Sequence, residues 1–289
     1  MIKNQIKTAA LLATLSGLIL WMGGMIGGSQ GVQIAFIIAL FMNGIMYFFS
    51  ETIVLRLYSA QPLDQHAYAS IHLIVQELAE KMRLPMPKLW RIQAAHPNAF
   101  ATGRSPAHAS IALTDSIITL LDVHELRGVL AHELSHIKNR DMLVSTIAAT
   151  LTATIGYVGD MIQRMLFWRA LGADTRDRSK QNNWFGLLIT AIVMPFIATL
   201  LQLAISRSRE YLADECGAHY SQDPLALASA LKKLQQQKPT AATDYYQTST
   251  ASLFIINPFL GSNWTYLFAT HPPTNQRIAR LEEIFKKGF

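Results

Sequence analysis

A single cysteine, Cys216, stands in a chain of 289 residues, so no intramolecular disulfide can form. That suits a soluble part kept in a reducing compartment. A lone cysteine in an apolar-flanked helix is more often a small packing residue than a nucleophile. Charge is scarce too: charged residues make up 15% of the chain against 51% hydrophobic, and both figures depart from the soluble average in the direction of a bilayer. The net charge of +6 is spread along the chain. With no block of like charges and no basic stripe interleaved with aromatics, nucleic acid is a poor partner, and a lipid bilayer is the fitting one. Internal repeats are absent.

What is abundant is apolar run. Residues 9–28 follow Lys3 and Lys7 and carry almost no charge. A secretory signal reads the same way, but a second run, residues 32–49, follows at once after a turn at 28–31. Each is long enough to cross a bilayer about 30 Å thick at about 1.5 Å per residue, and a cleaved signal has no need of the second. Residues 1–50 therefore read as a transmembrane hairpin. Two further runs, 142–162 and 184–205, carry the Thr, Ser and Gly frequent where membrane helices pack. Pro195 would kink or break the last of them. They make residues 142–205 a second pair of transmembrane or membrane-embedded helices. Lys3 and Lys7 put the N-terminus, and after the hairpin residues 51–141, on the cytoplasmic side. If the third run spans, the loop bearing Arg164, Arg169, Arg176, Arg178 and Lys180 faces outward, against the positive-inside tendency. Whether the last two runs cross fully stays open.

Between the runs the chain reads as a globular, mainly α fold with a small β-sheet. Residues 65–83 place Ile71, Leu73, Ile74, Leu78 and Met82 at helical spacing and stop near Pro85. Residues 88–93 and 109–113 alternate as strands, with 98–103 in the connection. Asp122 opens a helix with Glu125 at capping-box spacing. Asp223 can cap another over 224–237, with Pro224 at its first position. A Thr- and Ala-rich loop follows over 238–252, and 276–287 is a closing helix.

The helix opened by Asp122 carries His132-Glu133-Leu134-Ser135-His136. Histidines four apart share a helical face and can reach one metal ion. Glu133 beside the first ligand suits the base of metal-assisted hydrolysis. The pentapeptide arises by chance in about one chain in a hundred of this length, so the reading needs a third ligand. A metzincin would put histidine six residues after His136, where Met142 stands, and glycine where Asn139 stands; that subclass is excluded. A distant carboxylate remains, and Arg209-Glu210-Tyr211-Leu212-Ala213-Asp214 offers one. Glu210 and Asp214 share a face, the first to bind metal, the second to orient a ligand histidine through its free ring nitrogen. Alone, this segment reads as a charged helix end leaving a membrane, with Arg207 and Arg209 snorkelling toward headgroups. Paired with two histidines that need a partner, it supplies the ligand. His66, His72, His96, His108, His124 and His219 have no ligand spacing.

Residues 132–141 (HELSHIKNRD), 206–214 (SRSREYLAD) and 270–278 (THPPTNQRI) together, with 97–103 (PNAFATG) upstream, resemble the HtpX-type heat-shock membrane metalloproteases, relatives of the CAAX prenyl-protein peptidases. The resemblance covers nearly the whole chain. It implies a zincin-type peptidase domain with four transmembrane helices, formed by residues 51–141 and 206–289. It also implies one Zn2+ per chain on His132, His136 and Glu210, with Glu133 as acid/base and Asp214 behind the ligands. On the resemblance alone, His271 and Arg277 fall near the site, His271 toward the oxyanion. The implied setting is the bacterial inner membrane with the site facing the cytoplasm, and the implied substrates are misfolded or damaged proteins, especially membrane proteins.

An unfolded substrate would add as an extended strand to an edge near Asn98, Ala99 and Phe100, or near residues 110–114. Two rivals are a scaffold with a structural metal site, which needs a fourth protein ligand, and a transporter, which needs charges inside its spans, where only Asp160 near one end qualifies.

Overall fold

The computed structural model describes residues 2–147, 150, 207–237 and 272–288. Helix α1, Ile2–Leu57, is two helices joined at Gly27 and Gly28, where the backbone leaves helical geometry and Gly28 takes φ 57°. The halves pack antiparallel. Asn43 Nδ2 donates to Ser16 Oγ at 2.8 Å, and a Cβ on Gly23 or Gly31 would fall on the other's carbonyl oxygen, so glycine permits the close approach. The second half runs on past the apolar stretch that ends at Phe49. Residues Gly27–Leu57 form one helix of 31 residues, long and apolar enough by length and composition to cross a membrane, and Ile34, Leu40 and Phe41 on it remain exposed. The sequence-expected runs 142–162 and 184–205 lie almost wholly outside the described residues, as do the 238–252 loop and His271.

A four-stranded sheet follows, in the order β1 (Gln61–Pro62), β2 (Lys88–Ile92), β4 (His108–Thr114), β3 (Ala99–Ser105). β1 is antiparallel to β2, β2 parallel to β4, and β4 antiparallel to β3. Residues 98–103 were expected in a connection; all but the first are strand. Their small buried side chains give no alternating apolar–polar signal, because both faces of the sheet are covered. One face carries Ile92, Phe100 and Ala112 against Val54 and Leu55 of α1. The other carries Leu89, Ala99, Ala101, Ile111 and Leu113 against helices α2 (Ala69–Met82) and α4 (Val123–Asn139). Glu51 of α1 is tied to the sheet by Ser110 Oγ, which donates to its carboxylate at 2.7 Å and accepts from Trp90 Nε1 at 3.0 Å.

Thr114 caps a short helix α3 (Asp115–Leu120). Asp122 then opens α4 with the expected capping box: it accepts from the His124 and Glu125 amides, while Glu125 accepts from the Asp122 amide. α4 ends at Arg140, whose left-handed φ of 57° turns the chain back, so that the Asp141 amide bonds the His136 carbonyl at 3.0 Å. The helical residues 142–147 lean on the hairpin through Leu143 and Ile147, and Thr146 meets Thr102 of β3 at 2.9 Å. Helices α5 (Arg207–Ser221), α6 (Pro224–Gln235, capped by Asp223 as expected) and α7 (Thr274–Lys287) close over α4. At Gly128 a Cβ would press on the Leu227 backbone. Glu125, 3% exposed, binds Ser229 and Lys233 of α6.

Candidate metal centre

α4 presents His132 and His136 one turn apart, ring planes nearly perpendicular, with their Nε2 atoms 3.2 Å apart. α5 crosses α4 at a glycine: a Cβ on Gly217 would lie 3.0 Å from the His132 amide nitrogen and 3.1 Å from its Cα. Glu210, Asp214 and Gly217 share one face of α5 at four- and three-residue spacing, so the crossing that Gly217 permits aims both carboxylates at the histidines. Glu210 Oε2 lies 3.7 Å from His132 Nε2, and Oε1 lies 3.7 Å from His136 Nε2.

Each histidine also has a carboxylate at its far nitrogen. Asp214 Oδ1 is 3.0 Å from His132 Nδ1, and Asp141 Oδ2 is 3.3 Å from His136 Nδ1. A carboxylate at Nδ1 fixes the tautomer that leaves the Nε2 lone pair facing inward. Asp214 was read from its spacing. Asp141 was not, because it sits just past the left-handed turn at Arg140, where helical periodicity no longer applies.

Arg277 of α7, 1% exposed, grips Asp214 with two bonds, Nε to Oδ2 at 2.8 Å and Nη2 to Oδ1 at 2.7 Å. Its Nη1 reaches to 3.9 Å from Glu210. Burial by itself would raise the Asp214 pKa, but the Arg277 charge and hydrogen bonds, with His132 added, hold it down at about 2. Burial would likewise lower His132, yet its bonds to Asp214 and Glu210 push it up to about 9. Glu133, 4% exposed, has its pKa raised by burial against the opposing pull of His132 and His136, and the Ala101 N–H of β3 points at its carboxylate.

Arg209 departs from expectation. It was read as reaching out to lipid headgroups; instead it is only 9% exposed. Burial lowers its pKa, while the charges of Asp141 and Glu210 counter the effect.

The donor set fits a dication. The His132, His136 and Glu210 ligand atoms all lie within 4.8 Å of one another. Tetrahedral zinc with bonds near 2.0–2.1 Å separates its ligands by about 3.3 Å, between the 3.2 and 3.7 Å seen here. Chemistry agrees: two imidazoles and a buried carboxylate, with Glu133 buried beside them, are the donor types that zinc takes.

Of the expected substrate strand, the Asn98 carbonyl accepts from the Thr114 amide. By antiparallel alternation the backbone of Phe100 then faces β4, while that of Ala99 and Ala101, both buried, faces away from it. The Phe100 side chain packs on the opposite side of the sheet against Tyr58, centroids 5.4 Å apart. The alternative edge at residues 110–114 is not one, since β4 is paired on both sides.

A family model, peptidase family M48, matches residues 65–285. Among curated relatives, a protease HtpX homolog of Syntrophobacter fumaroxidans is 48% identical, over 97% of this chain and 99% of the relative. One of Aquifex aeolicus is 46% identical over 98% and 94%. Among solved structures, the crystal structure of S. mikatae Ste24p shares the fold with a TM-score of 0.51 at 18% identity, covering 97% of this chain and 66% of that one.

Proposed function

The chain belongs to peptidase family M48, and from that premise we propose that this metallopeptidase is a membrane-bound zinc endopeptidase in which His132, His136 and Glu210 hold one Zn2+ and Glu133 is the catalytic base. The observation that carries this reading is the convergence of two Nε2 atoms and a carboxylate beside a buried glutamate. Among the described residues no fourth His, Cys, Asp or Glu joins the three. A catalytic zinc takes three protein ligands and keeps a position for water.

Zinc held there supplies Lewis acidity toward the scissile carbonyl and toward an attacking water. Glu133 takes the proton of that water and hands it to the leaving amine. Its burial, which makes protonation easier, favours the uptake of that proton. Asp214 and Asp141 hold the two imidazoles in place, and Arg277 keeps Asp214 ionised. The substrate lies as an extended strand along β3 beside Glu133, near Asn98, Ala99 and Phe100, Asn98 opening the strand and Phe100 holding it to the sheet. Backbone pairing gives broad selectivity, as suits misfolded or damaged membrane proteins and a role in stress. His271 is assigned to the oxyanion by family resemblance only. The enzyme is placed in the bacterial inner membrane as a multi-pass protein with four spans and the site toward the cytoplasm. The long apolar helix Gly27–Leu57 supports one of those spans.

The test compares the full chain in detergent with Glu133→Gln on casein, with zinc measured on both. Cleavage by wild type, with the variant retaining zinc and losing cleavage, is expected. Zinc on both with cleavage by neither, over a range of substrates, would return the scaffold reading; zinc on neither would overturn the ligand set.

A further inference from the structure

Strand β3 runs down the side of the long apolar helix. Phe100, near its start, packs on Tyr58 of α1. Thr102 meets Thr146, and the Arg104 guanidinium lies over the Phe48 ring, 5.4 Å from its centroid. The lengths agree: from Phe100 to Arg104 the strand covers about 13 Å, and from Tyr58 back to Phe48 the helix covers about 15 Å. The hairpin carries no charged residue between Lys7 and Glu51. From Gly31 to Ser50 it spans about 30 Å, the thickness of a hydrocarbon core, so the boundary on this side falls near Ser50. Phe48 lies just inside it and is exposed. The turn beyond Arg104, Ser105-Pro106-Ala107, carries no charge and is closed by Ser105 Oγ and His108 Nδ1, 3.1 Å apart.

Two more basic residues stand at this level. Lys88 is in register with Ser110, whose hydroxyl donates to Glu51. Arg140 comes just before Leu143, which packs with Met46 of the hairpin. Both are exposed. Two carboxylates share the level: Glu51 accepts from Ser110, and Asp141 is buried beside His136.

We propose that the β3–β4 turn sits in the headgroup layer of the membrane that α1 crosses, where Arg104, Lys88 and Arg140 bind lipid phosphates and select acidic lipids. The inference rests on the reading of Gly27–Leu57 as a membrane span. Arg104 lays its stem along apolar surface and turns its charged head to the phosphates, while Pro106 and Ala107 enter the layer without burying charge. This contact stands β3 upright on the bilayer with one end at the surface. Each basic side chain adds about fivefold to the preference for acidic over neutral lipid.

The experiment uses the full chain with Cys216→Ala in phosphatidylcholine nanodiscs, carrying one fluorophore attached through Ala107→Cys. The quenchers are traces of phosphatidylglycerol or phosphatidylcholine with a nitroxide high on the acyl chain. Both should quench at Ala107, phosphatidylglycerol at least about fivefold more strongly, and salt should erase that excess. Lys88→Gln with Arg104→Gln should remove most of the excess. A label through Val123→Cys, exposed and reached only beyond the other end of β4, should be quenched far less. Quenching at Ala107 no stronger than at Val123, equal quenching by the two lipids, or an excess indifferent to salt and to the double variant overturns the proposal. Should the double variant not fold, the salt dependence of the unaltered turn makes the same comparison. Ile38→Cys, on the exposed face of the helix, is the separate control: if a nitroxide deep in the acyl chain does not quench a label there, it is the span that has failed, not the placing of the turn.

Discussion

Asp214→Asn takes one charge out of a buried ion pair and leaves the shape almost unchanged. Asp214 is 2% exposed and Arg277 1%. The pair is held by two hydrogen bonds of 2.7 and 2.8 Å. Asparagine still offers one acceptor, but the guanidinium loses the charge of the carboxylate that grips it. Removing one partner of such a pair costs about 3–5 kcal/mol. A chain of this size loses roughly 2–4 °C of melting temperature per kcal/mol, so metal-free Asp214→Asn should melt roughly 6–20 °C below wild type. The double variant Asp214→Leu with Arg277→Met removes both charges and replaces them with apolar volume. It should be the milder change, because a buried pair gains little over a hydrophobic isostere. Both variants should still bind metal about 10–100-fold more weakly, since each lacks the group behind His132. Stability and metal affinity would thus come apart in the double variant. Thermal unfolding at fixed scan rate, without and with zinc, reads both. A single variant within about 3 °C of wild type, or a double variant melting below the single, would refute the reasoning.

Gly217→Val should push α5 off the His132 backbone, withdrawing Glu210; stability should fall by about 1–3 kcal/mol and zinc affinity with it, checked by melting and chelator competition. Ala101→Pro removes the N–H that points at the Glu133 carboxylate and that β4 does not use, so kcat/KM on unfolded substrate should drop while zinc content holds, measured on the same preparation. The Asp214 carboxyl has a folded-state pKa of about 2 against an ordinary 3.8, so its contribution to stability is complete above the ordinary value and is lost as pH falls through the folded one. Between about pH 4 and 2 the metal-free wild type should therefore lose stability more steeply than Asp214→Asn in an acid melt.

The legible parts of this chain are those whose signal is local. The spacing of His132 and His136, the box at Asp122 and Glu125, and the shared face of Glu210 and Asp214 are all helical periodicities, and the structure carries each. Asp141 lay one residue past a left-handed cap, where that periodicity ends. Arg277 comes from 63 residues beyond the aspartate it grips, with nothing in the intervening spacing to announce it; only family resemblance pointed there. Arg209, taken alone, reads as a charge after an apolar run that reaches out to headgroups, whereas the structure buries it. Strand β3 was taken for a connection because Ala, Thr and Gly, covered on both faces, leave no alternation to read.

Zinc K-edge X-ray absorption of the purified full chain tests the central claim most directly. The account predicts two imidazole nitrogens and a carboxylate oxygen at about 2.0–2.2 Å, with the fourth position filled from solvent, and loss of one imidazole signal in His136→Ala. Four protein ligands around the metal, or a spectrum unchanged by removing His136, would contradict it.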